Sequence, residues 1–402
     1  MSRLVEPRRP PTTTEARPAS RRDFIRLVGG GAVLAAGGGL AGCNAALPAA
    51  ALQPWTDASS QTDTRRFMLA HALLAPNPHN RQPWIADLRD PGRIHLVCDG
   101  DRLLPETDPQ GRQILIGCGA FVELAVIAAA QRGLQVTIEW FPGGAPAAQA
   151  LPKGTRVATL VLGEAGSAQP DVLFAQITRR HTRKTPYKVG KPLPDELTHA
   201  WKATAAAFGL RSGLVSGDAA TLPIRRITRE AYEVECVTPR TWLESARLMR
   251  IGPAAIASNR DGISLNSPMV RALYSVGLFD PMEVPRRGSS SLQRVMDRWT
   301  PFETGSGYLW LASDGNDRLI QTACGRAYVR AQLQATASGV DMHPLSQALQ
   351  EFAEMHSLRE AMHRTLGLAP AEITLQMLSR VGFATETTGP SPRRDLGSLL
   401  RA

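Results

Sequence analysis

One stretch of this chain, residues 113–131, holds a single charged residue, Glu123, among nineteen positions. Almost all of the other positions are apolar or small on every side of a helix, and a helix of that kind has to be buried. The chain's 402 residues suffice for one large or two ordinary domains with a sizeable core. We therefore expect a long central helix around which the other elements pack.

Features of this stretch recur later in the chain at an offset of 206 residues. The matching pairs are Cys118 and Cys324, Gly119 and Gly325, Ala125 and Ala331, Ala129 and Ala335, and Gly133 and Gly339. Small residues on one helical stripe let two helices approach closely. The simplest explanation is a duplicated unit whose two long helices pack about a pseudo-twofold axis. The alternative is a chance match, because Ala and Gly are common in this chain.

The N-terminal region has the features of an export signal. Ser20-Arg21-Arg22-Asp23-Phe24-Ile25 is a twin-arginine signature, and the apolar run 27–40 is short and rich in Gly and Ala, as in a signal peptide. Leu40-Ala41-Gly42-Cys43 looks like a lipobox, which predicts lipidation of Cys43; the alternative is a chance Cys after an uncleaved anchor. We expect residues 1–42 to be the signal and residues 43–61 a flexible tether. The twin-arginine route carries folded proteins, often with a cofactor bound.

Charge and motif content exclude several classes of function. The formal net charge is +10, but residues 1–42 hold seven Arg against three acids, so the remainder is only mildly basic. No basic helix with interleaved aromatics appears, and we expect no nucleic-acid partner. The four cysteines after Cys43 have neither metal-site nor redox spacing, and we expect no metal.

A proline-rich loop follows the first predicted helix of the folded part. It runs Pro76-Asn77-Pro78-His79-Asn80-Arg81-Gln82-Pro83-Trp84. Its prolines lack the N–H group and the free φ angle that regular backbone hydrogen bonding requires. The amides of Asn80 and Gln82 carry both donors and acceptors, which suits them to the edge of a flat heteroaromatic ring. The alternative is a connector in which Trp84 fills the core.

A second polar motif, Arg179-Arg180-His181-Thr182-Arg183, packs three guanidinium groups and a hydroxyl into five residues. Guanidinium groups match phosphate oxygens in pairs, and a hydroxyl can bind a further oxygen. The motif predicts a phosphate site, or alternatively a solvated run of charges. Residues 251–304 are broken by Gly, Pro and Ser, and such long weakly patterned stretches are usually functional or mobile.

The loop resembles the APSxxNxQPW signature of the nitroreductase superfamily. Its His79 and three further stretches, 108–112, 179–183 and 391–394, are similar to the Acg-like branch, in which two nitroreductase units are fused. The resemblance implies an α+β fold, an α/β/α sandwich of two units forming a pseudo-dimer around long central helices. The expected units are residues 62–178 and 179–402, with a lid at 251–304.

The same resemblance implies FMN as the cofactor, in a site shared by both units. The implied cofactor-binding residues are Pro78, His79, Asn80, Gln82, Arg179, Arg180, His181, Thr182, Arg183, Leu345, Ser346, Arg393 and Arg394. No second NxQPW is present, so one FMN per chain is expected. No acid or base residue is demanded, because the chemistry is expected on the flavin.

Three functional hypotheses follow from these features. The first is an exported, membrane-tethered FMN oxidoreductase that uses a small-molecule electron donor and acceptor. The second is a protein that stores or sequesters FMN with little or no turnover. The third is a cofactor-free surface lipoprotein. The expected location is extracytoplasmic, on a membrane, and a homodimer of the fused chain is left open.

Overall fold

The computed structural model describes residues 46–147, 149–369 and 372–401. The predicted signal peptide and Cys43 lie outside the described residues. The first half of the described chain begins with a short helix and continues into a helix-and-sheet unit. Its elements are α1 (Ala49–Asp57), α2 (Thr64–Ala72), β1 (Trp84–Asp87), β2 (Arg93–Cys98), α3 (Arg112–Gln131), β3 (Leu134–Trp140) and β4 (Arg156–Ala165).

The second half repeats this order of elements with a long insertion after its first strand. It begins with α4 (Asp195–Ala207) and β5 (Arg211–Ser216) and ends with β8 (Gly307–Asp314), α10 (Arg318–Ala337), β9 (Asp341–Pro344), α11 (His356–Thr365), β10 (Ile373–Gly382) and α12 (Leu396–Leu399). The insertion contains α5 (Asp218–Val237), α6 (Pro239–Arg247), β6 (Met249–Ile251), α7 (Gly252–Ser258), β7 (Ile263–Leu265), α8 (Pro268–Ser275) and α9 (Ser290–Asp297).

The two four-stranded sheets have the same topology. Their strand orders are β1-β2-β4-β3 and β5-β8-β10-β9, and the neighbouring strands are antiparallel. In each unit the second strand leads into the long helix, which leads to the edge strand. The predicted α+β class and the duplication are therefore confirmed.

The long helices α3 and α10 pack against each other at the centre. A Cβ added to Gly119 would lie 2.1 Å from the carbonyl oxygen of Thr322, and one added to Gly325 would lie 1.9 Å from that of Ile116. These contacts exchange under the 206-residue offset, as a twofold axis requires. The helices therefore touch backbone to backbone, which only glycine permits at these two positions.

Helix α3 is buried along most of its length, as its sequence predicts. It is long and apolar enough to cross a membrane, but 83% of the apolar window lies inside the protein. Its N-terminus is capped by the Asp108 carboxylate, which accepts from the N–H groups of Gln113 at 3.1 Å and Ile114 at 2.9 Å. Its one acidic residue, Glu123, pairs with Arg326 and Arg330 of α10.

One sequence-based expectation is wrong. Residues 49–57 form helix α1 rather than part of a flexible tether, because Ala51 and Trp55 are buried and give that segment a packed apolar side. Elsewhere, α5 and α6 are separated at Thr238, since Pro239 begins a new helix and the residue before a proline disfavours helical dihedrals.

Candidate functional site

The loop between α2 and β1 has an unusual backbone. His79, Asn80 and Gln82 have φ angles of 49°, 50° and 50°, a region that residues other than glycine rarely adopt. The Asn77 side chain supports the turn, because its Oδ1 accepts from the Gln82 N–H at 2.7 Å. The loop rests on α3, where Gly117 leaves room for Asn77 and for the Pro78 ring. The sequence thus builds an irregular loop that the Asn77 side chain and helix α3 hold in place.

The side-chain amides of this loop bind the protein's own C-terminal segment. Asn80 Nδ2 donates to the Pro392 carbonyl at 3.0 Å, and Asn80 Oδ1 accepts from Arg393 at 2.9 Å. Gln82 is fully buried; its Oε1 accepts from the Arg394 N–H at 2.8 Å and its Nε2 donates to the Arg260 carbonyl at 2.8 Å. The structure therefore corrects the expectation that these two amides face a flat ring: here they hold residues 392–394 in place.

The arginine motif meets the same region from the second unit. Arg180 is buried, and its Nη2 donates to the Leu74 carbonyl at 2.7 Å while its Nη1 donates to Gln332 at 3.0 Å. Arg393 also donates to the Leu74 carbonyl, at 3.0 Å. Asn80 is thus connected to Arg180 through the Arg393 guanidinium group and the Leu74 carbonyl. The arginine motif and the segment around Leu74 and Asn80 therefore lie together, although the two are about a hundred residues apart in the chain.

Arg393 has a structural role. Its guanidinium donates to the carbonyls of Leu73, Leu74, Ala75 and Pro392 and to Asn80, so every nitrogen has an acceptor. It closes the C-terminal end of α2, where carbonyls lack helical partners. Arg394 is similarly engaged, with Gln82 and Ser398. The structure corrects the expectation that these two side chains contact a phosphate.

A group of buried polar atoms in residues 180–185 remains without hydrogen-bond partners. Arg180 Nε, His181 Nδ1, Arg183 Nε and Thr185 Oγ1 are buried and have no hydrogen-bond partner among the described residues. Buried polar groups are normally paired, so each unpaired one needs an explanation. Burial, and next the charges of Arg180 and Arg183, lower the pKa of His181 to about 4. A bound anion would accept from the Nε–H groups of Arg180 and Arg183 and from the Thr185 hydroxyl.

The other members of the predicted site differ in their positions. Arg179 is exposed, and Thr182 Oγ1 accepts from Gln332 at 3.3 Å. Arg183 Nη1 pairs with Asp341 at 2.6 Å. His79 Nε2 lies 2.9 Å from Ser245 Oγ, and burial, with Lys184 and Arg81 next, lowers the pKa of His79 to about 4.

Residues Leu345 and Ser346 follow β9. Leu345 is buried in the apolar core formed with α5, α11 and β10, and its N–H donates to the Leu378 carbonyl at 2.8 Å. Ser346 is half-buried and starts a turn. The expectation that the Leu345 side chain lines a ligand is corrected, because that side chain is a core residue.

The inserted segment covers the proline-rich loop. The Gly262 N–H donates to the Asn80 carbonyl at 3.2 Å. Next to it, the buried Asp261 carboxylate binds Arg81 at 3.1 Å, Arg102 at 2.7 Å and Arg250 at 2.9 Å. A Cβ at Gly262 would lie 2.3 Å from the Leu248 carbonyl oxygen, so the close approach requires glycine. We call residues 260–262 the strap.

Three residues near the cluster were not singled out from the sequence. Trp55 of α1 donates from Nε1 to the Ser391 carbonyl at 2.8 Å and lies against Arg180, His181 and Arg393. Arg380 donates to the Thr185 carbonyl at 2.8 Å and fixes that end of the motif. Asp261 anchors the strap. A Trp within a presumed tether was the one available signal; the other two look like ordinary strand and loop residues.

A separate surface groove of about 980 Å³ lies between the end of α5 and residues 283–291, and it includes none of the predicted site residues. Among the described residues, no group of three His, Cys, Asp or Glu is placed to hold a metal ion. The four described cysteines are buried and unpaired. The cluster around residues 180–185 is therefore the candidate site.

Comparison with known proteins identifies full-length relatives. Two proteins of Mycobacterium tuberculosis named "Putative NAD(P)H nitroreductase" match most of the chain. Rv3131 is 28% identical over 348 residues, covering 84% of this chain and 91% of that protein. The protein acg is 26% identical over 353 residues, covering 86% and 97%. No protein-family profile matches the chain.

Solved structures give a weaker similarity. The FMN-dependent nitroreductase NfnB from Mycobacterium smegmatis, in complex with NADPH, is 17% identical and covers 56% of this chain and 96% of its own, with a TM-score of 0.37. A nitroreductase with bound FMN from Desulfitobacterium hafniense is 15% identical and covers 56% and 95%, with a TM-score of 0.34.

Proposed function

We propose that this protein is an FMN-binding oxidoreductase of the nitroreductase type. The observation that carries the proposal is the set of unpaired buried donors in residues 180–185, at the place where the two halves of the chain meet. Arg180 and Arg393, both buried, have no acidic partner among the described residues, so the region favours an anion. The names of the full-length relatives support the same activity.

The residues fit the phosphate end of the cofactor. Arg180, Arg183 and Thr185 would hold the phosphate through the donors that have no acceptor here, and His181 would join them with its proton on Nδ1. Trp55 and the strap would limit the access of water to the site. When bound, the flavin would accept a hydride from a nicotinamide donor and pass electrons to a small-molecule acceptor.

The ring end fits less well, and this favours a second candidate function. Asn80 and Gln82 are occupied by residues 392–394 and by the Arg260 carbonyl, and the strap lies on the loop. A site closed in this way exchanges small molecules slowly. Storage or sequestration of FMN with little turnover is therefore the alternative to a nitroreductase activity.

The visible spectrum of the purified chain separates the two functions. The oxidoreductase predicts a yellow protein that bleaches with NADPH and recovers its colour when a nitroaromatic compound is added. Storage predicts a yellow protein that ignores NADPH and NADH and, once reduced with dithionite, stays reduced in air. A chain that neither copurifies with FMN nor binds added FMN would exclude both.

We also propose that the protein is exported by the twin-arginine route and anchored through lipidated Cys43, on the sequence evidence of residues 20–43. Metabolic labelling with a fatty acid and cell fractionation test this proposal. Cys43→Ala should abolish the label and lower the membrane-bound fraction of the protein, and replacing Arg21 and Arg22 by Lys should leave the precursor inside. Export that is unchanged by the Lys substitutions would contradict the route.

A further inference from the structure

Helix α8 and the turn after it expose an unusual amount of apolar surface. Met269, Tyr274, Val276 and Met282 are 58%, 49%, 59% and 43% exposed. Met269, Leu273 and Val276 are spaced at i, i+4 and i+7 and so follow one helical stripe, and the exposed Tyr274 lies about 100° around the helix from Leu273. Val270 faces inward and fixes the helix to the insertion. We call the outward side the α8 surface.

The start of the described chain contacts the residues that lead into α8. Asn266, two residues before α8, donates from Nδ2 to the Ala46 carbonyl at 3.1 Å. Cys43 precedes Ala46 by three residues, and three extended residues span at most roughly 11 Å. A lipid attached to Cys43 would therefore be tethered within that distance of Ala46.

The charge of the surrounding segment is complementary to a membrane. Residues 268–298 contain five arginines and three acidic residues. Arg271 lies on α8 itself, and Arg286 and Arg287 lie on the loop that follows; all three are exposed. Apolar side chains flanked by arginine are typical of helices that lie in the interface of a bilayer with anionic lipids. Tyrosine also favours that interface.

From these observations we propose that the α8 surface lies on the lipid bilayer that holds the Cys43 anchor. Its apolar side chains enter the interface, and the neighbouring arginines contact anionic headgroups. Which membrane the surface contacts depends on the proposed lipidation of Cys43. The α8 surface itself consists of described residues and does not depend on that lipidation. The strap precedes α8 in the chain and is separated from it by β7 and residues 266–267.

Vesicle binding tests the surface without the lipid anchor. The chain from residue 45 onward forms a compact unit and is mixed with vesicles of phosphatidylcholine and phosphatidylglycerol. We expect it to sediment with them, and we expect a Met269→Ser, Tyr274→Ser, Val276→Ser variant to bind at least tenfold more weakly. The matched control is Val172→Ser with Val189→Ser, which removes exposed apolar side chains elsewhere and should bind like wild type.

Equal binding of the wild-type chain and the α8 variant would overturn the proposal, as would absence of binding by both. A third result would also overturn the proposal: the wild-type chain self-associates but does not bind vesicles, and the α8 variant no longer self-associates. The α8 surface would then be a contact between two copies of the chain.

A second measurement uses the full acylated chain in membranes. A nitroxide on Tyr274→Cys should be exposed to dissolved oxygen and shielded from a water-soluble relaxation agent, whereas one on Val172→Cys should show the reverse; the described native cysteines are buried and should not be labelled. Equal accessibility of both positions in membrane-bound protein would overturn the α8 contact and leave lipidation standing. Protein that is never acylated would refute the anchor alone, because vesicle binding still decides the surface.

Discussion

Glu235 is a carboxylic acid held inside the protein. It is 7% exposed on α5, and its Oε2 accepts from Gln350 Nε2 at 3.0 Å. Burial raises its pKa to about 7, against the hydrogen bonds from Gln350 and Gln347, which lower it. The folded state therefore binds a proton that the unfolded chain releases near its ordinary pKa of 4.5. The stability that this proton provides is complete below pH 4.5 and is lost as the pH rises to 7.

Glu235→Gln should remove this dependence, because the amide stays neutral and can still accept from Gln350. Relative to wild type, the variant should gain stability as the pH rises from 4.5 to 7, by on the order of 3 kcal/mol at most, since one pKa unit corresponds to about 1.4 kcal/mol. Urea unfolding at pH 5 and pH 8 measures the difference. An equal effect of the substitution at both pH values would show that Glu235 is ionised in the fold.

Arg183 and Arg179 form a matched pair for the proposed phosphate site. Both carry one positive charge, but Arg183 has a buried unpaired Nε while Arg179 is exposed. Hydrogen bonds to charged groups contribute about 1.5–3 kcal/mol, so Arg183→Ala should weaken FMN binding on the order of ten- to a hundredfold. Arg179→Ala should change it by less than about threefold, as expected of an exposed charge. Fluorescence titration with FMN measures both, and equal losses would argue for a general charge effect instead.

At the scale of elements, the contact between α3 and α10 holds the two halves of the described chain together. Replacing glycine by alanine inside a helix gains up to about 1 kcal/mol of helix propensity. At Gly325, however, the added Cβ would lie 1.9 Å from the Ile116 carbonyl oxygen, and no side-chain rotation can relieve a contact with backbone. The steric effect should therefore exceed the gain in propensity.

We expect Gly325→Ala to lower the free energy of unfolding by roughly 1–3 kcal/mol or more, the usual range for overpacking. Gly117→Ala is the control on α3, because its Cβ would meet the Asn77 Cβ at 3.2 Å, a contact that a small shift can relieve. Thermal unfolding of both variants measures the difference. If Gly325→Ala were as stable as Gly117→Ala, the helices would have to be farther apart than this structure places them.

At the scale of the whole molecule, duplication does not produce two equivalent sites. In the first unit, residues 73–83 connect the helix to the first strand and form the proline-rich loop. In the second unit, the corresponding connection is only residues 208–210. The second unit instead carries the insertion between β5 and β8, and part of it covers the loop of the first unit. The pseudo-twofold axis therefore relates the scaffolds but not the loops.

This asymmetry predicts one FMN per chain. After reconstitution with excess FMN and removal of free cofactor, the flavin absorbance divided by the protein concentration should approach one equivalent. The reason is that a pseudosymmetric second site would have no counterpart of residues 76–83. A ratio near two would mean that another part of the chain replaces that loop, and it would contradict the assignment.

The sequence by itself determined the elements whose signals are local or repeated. The apolar run at 113–131, the 206-residue offset and the small residues on both helices predicted α3, α10 and their close contact. The unusual loop at 76–84 and the arginine motif at 179–183 were also visible in it, because prolines and clustered guanidinium groups leave a local signature.

Only the tertiary structure decided the partners of these residues. Asn80, Gln82 and Arg393 are paired across more than three hundred positions of the chain, and the sequence pattern of an amide or a guanidinium group is the same whether it binds a ligand or a carbonyl. The helix at 49–57 likewise depends on a surface that receives Trp55, which a short Ala- and Pro-rich segment does not reveal. The packing of the two units determines which residues distant in sequence become hydrogen-bond partners. Periodicity and residue spacing do not predict these partners, because they describe only positions that are close in the chain.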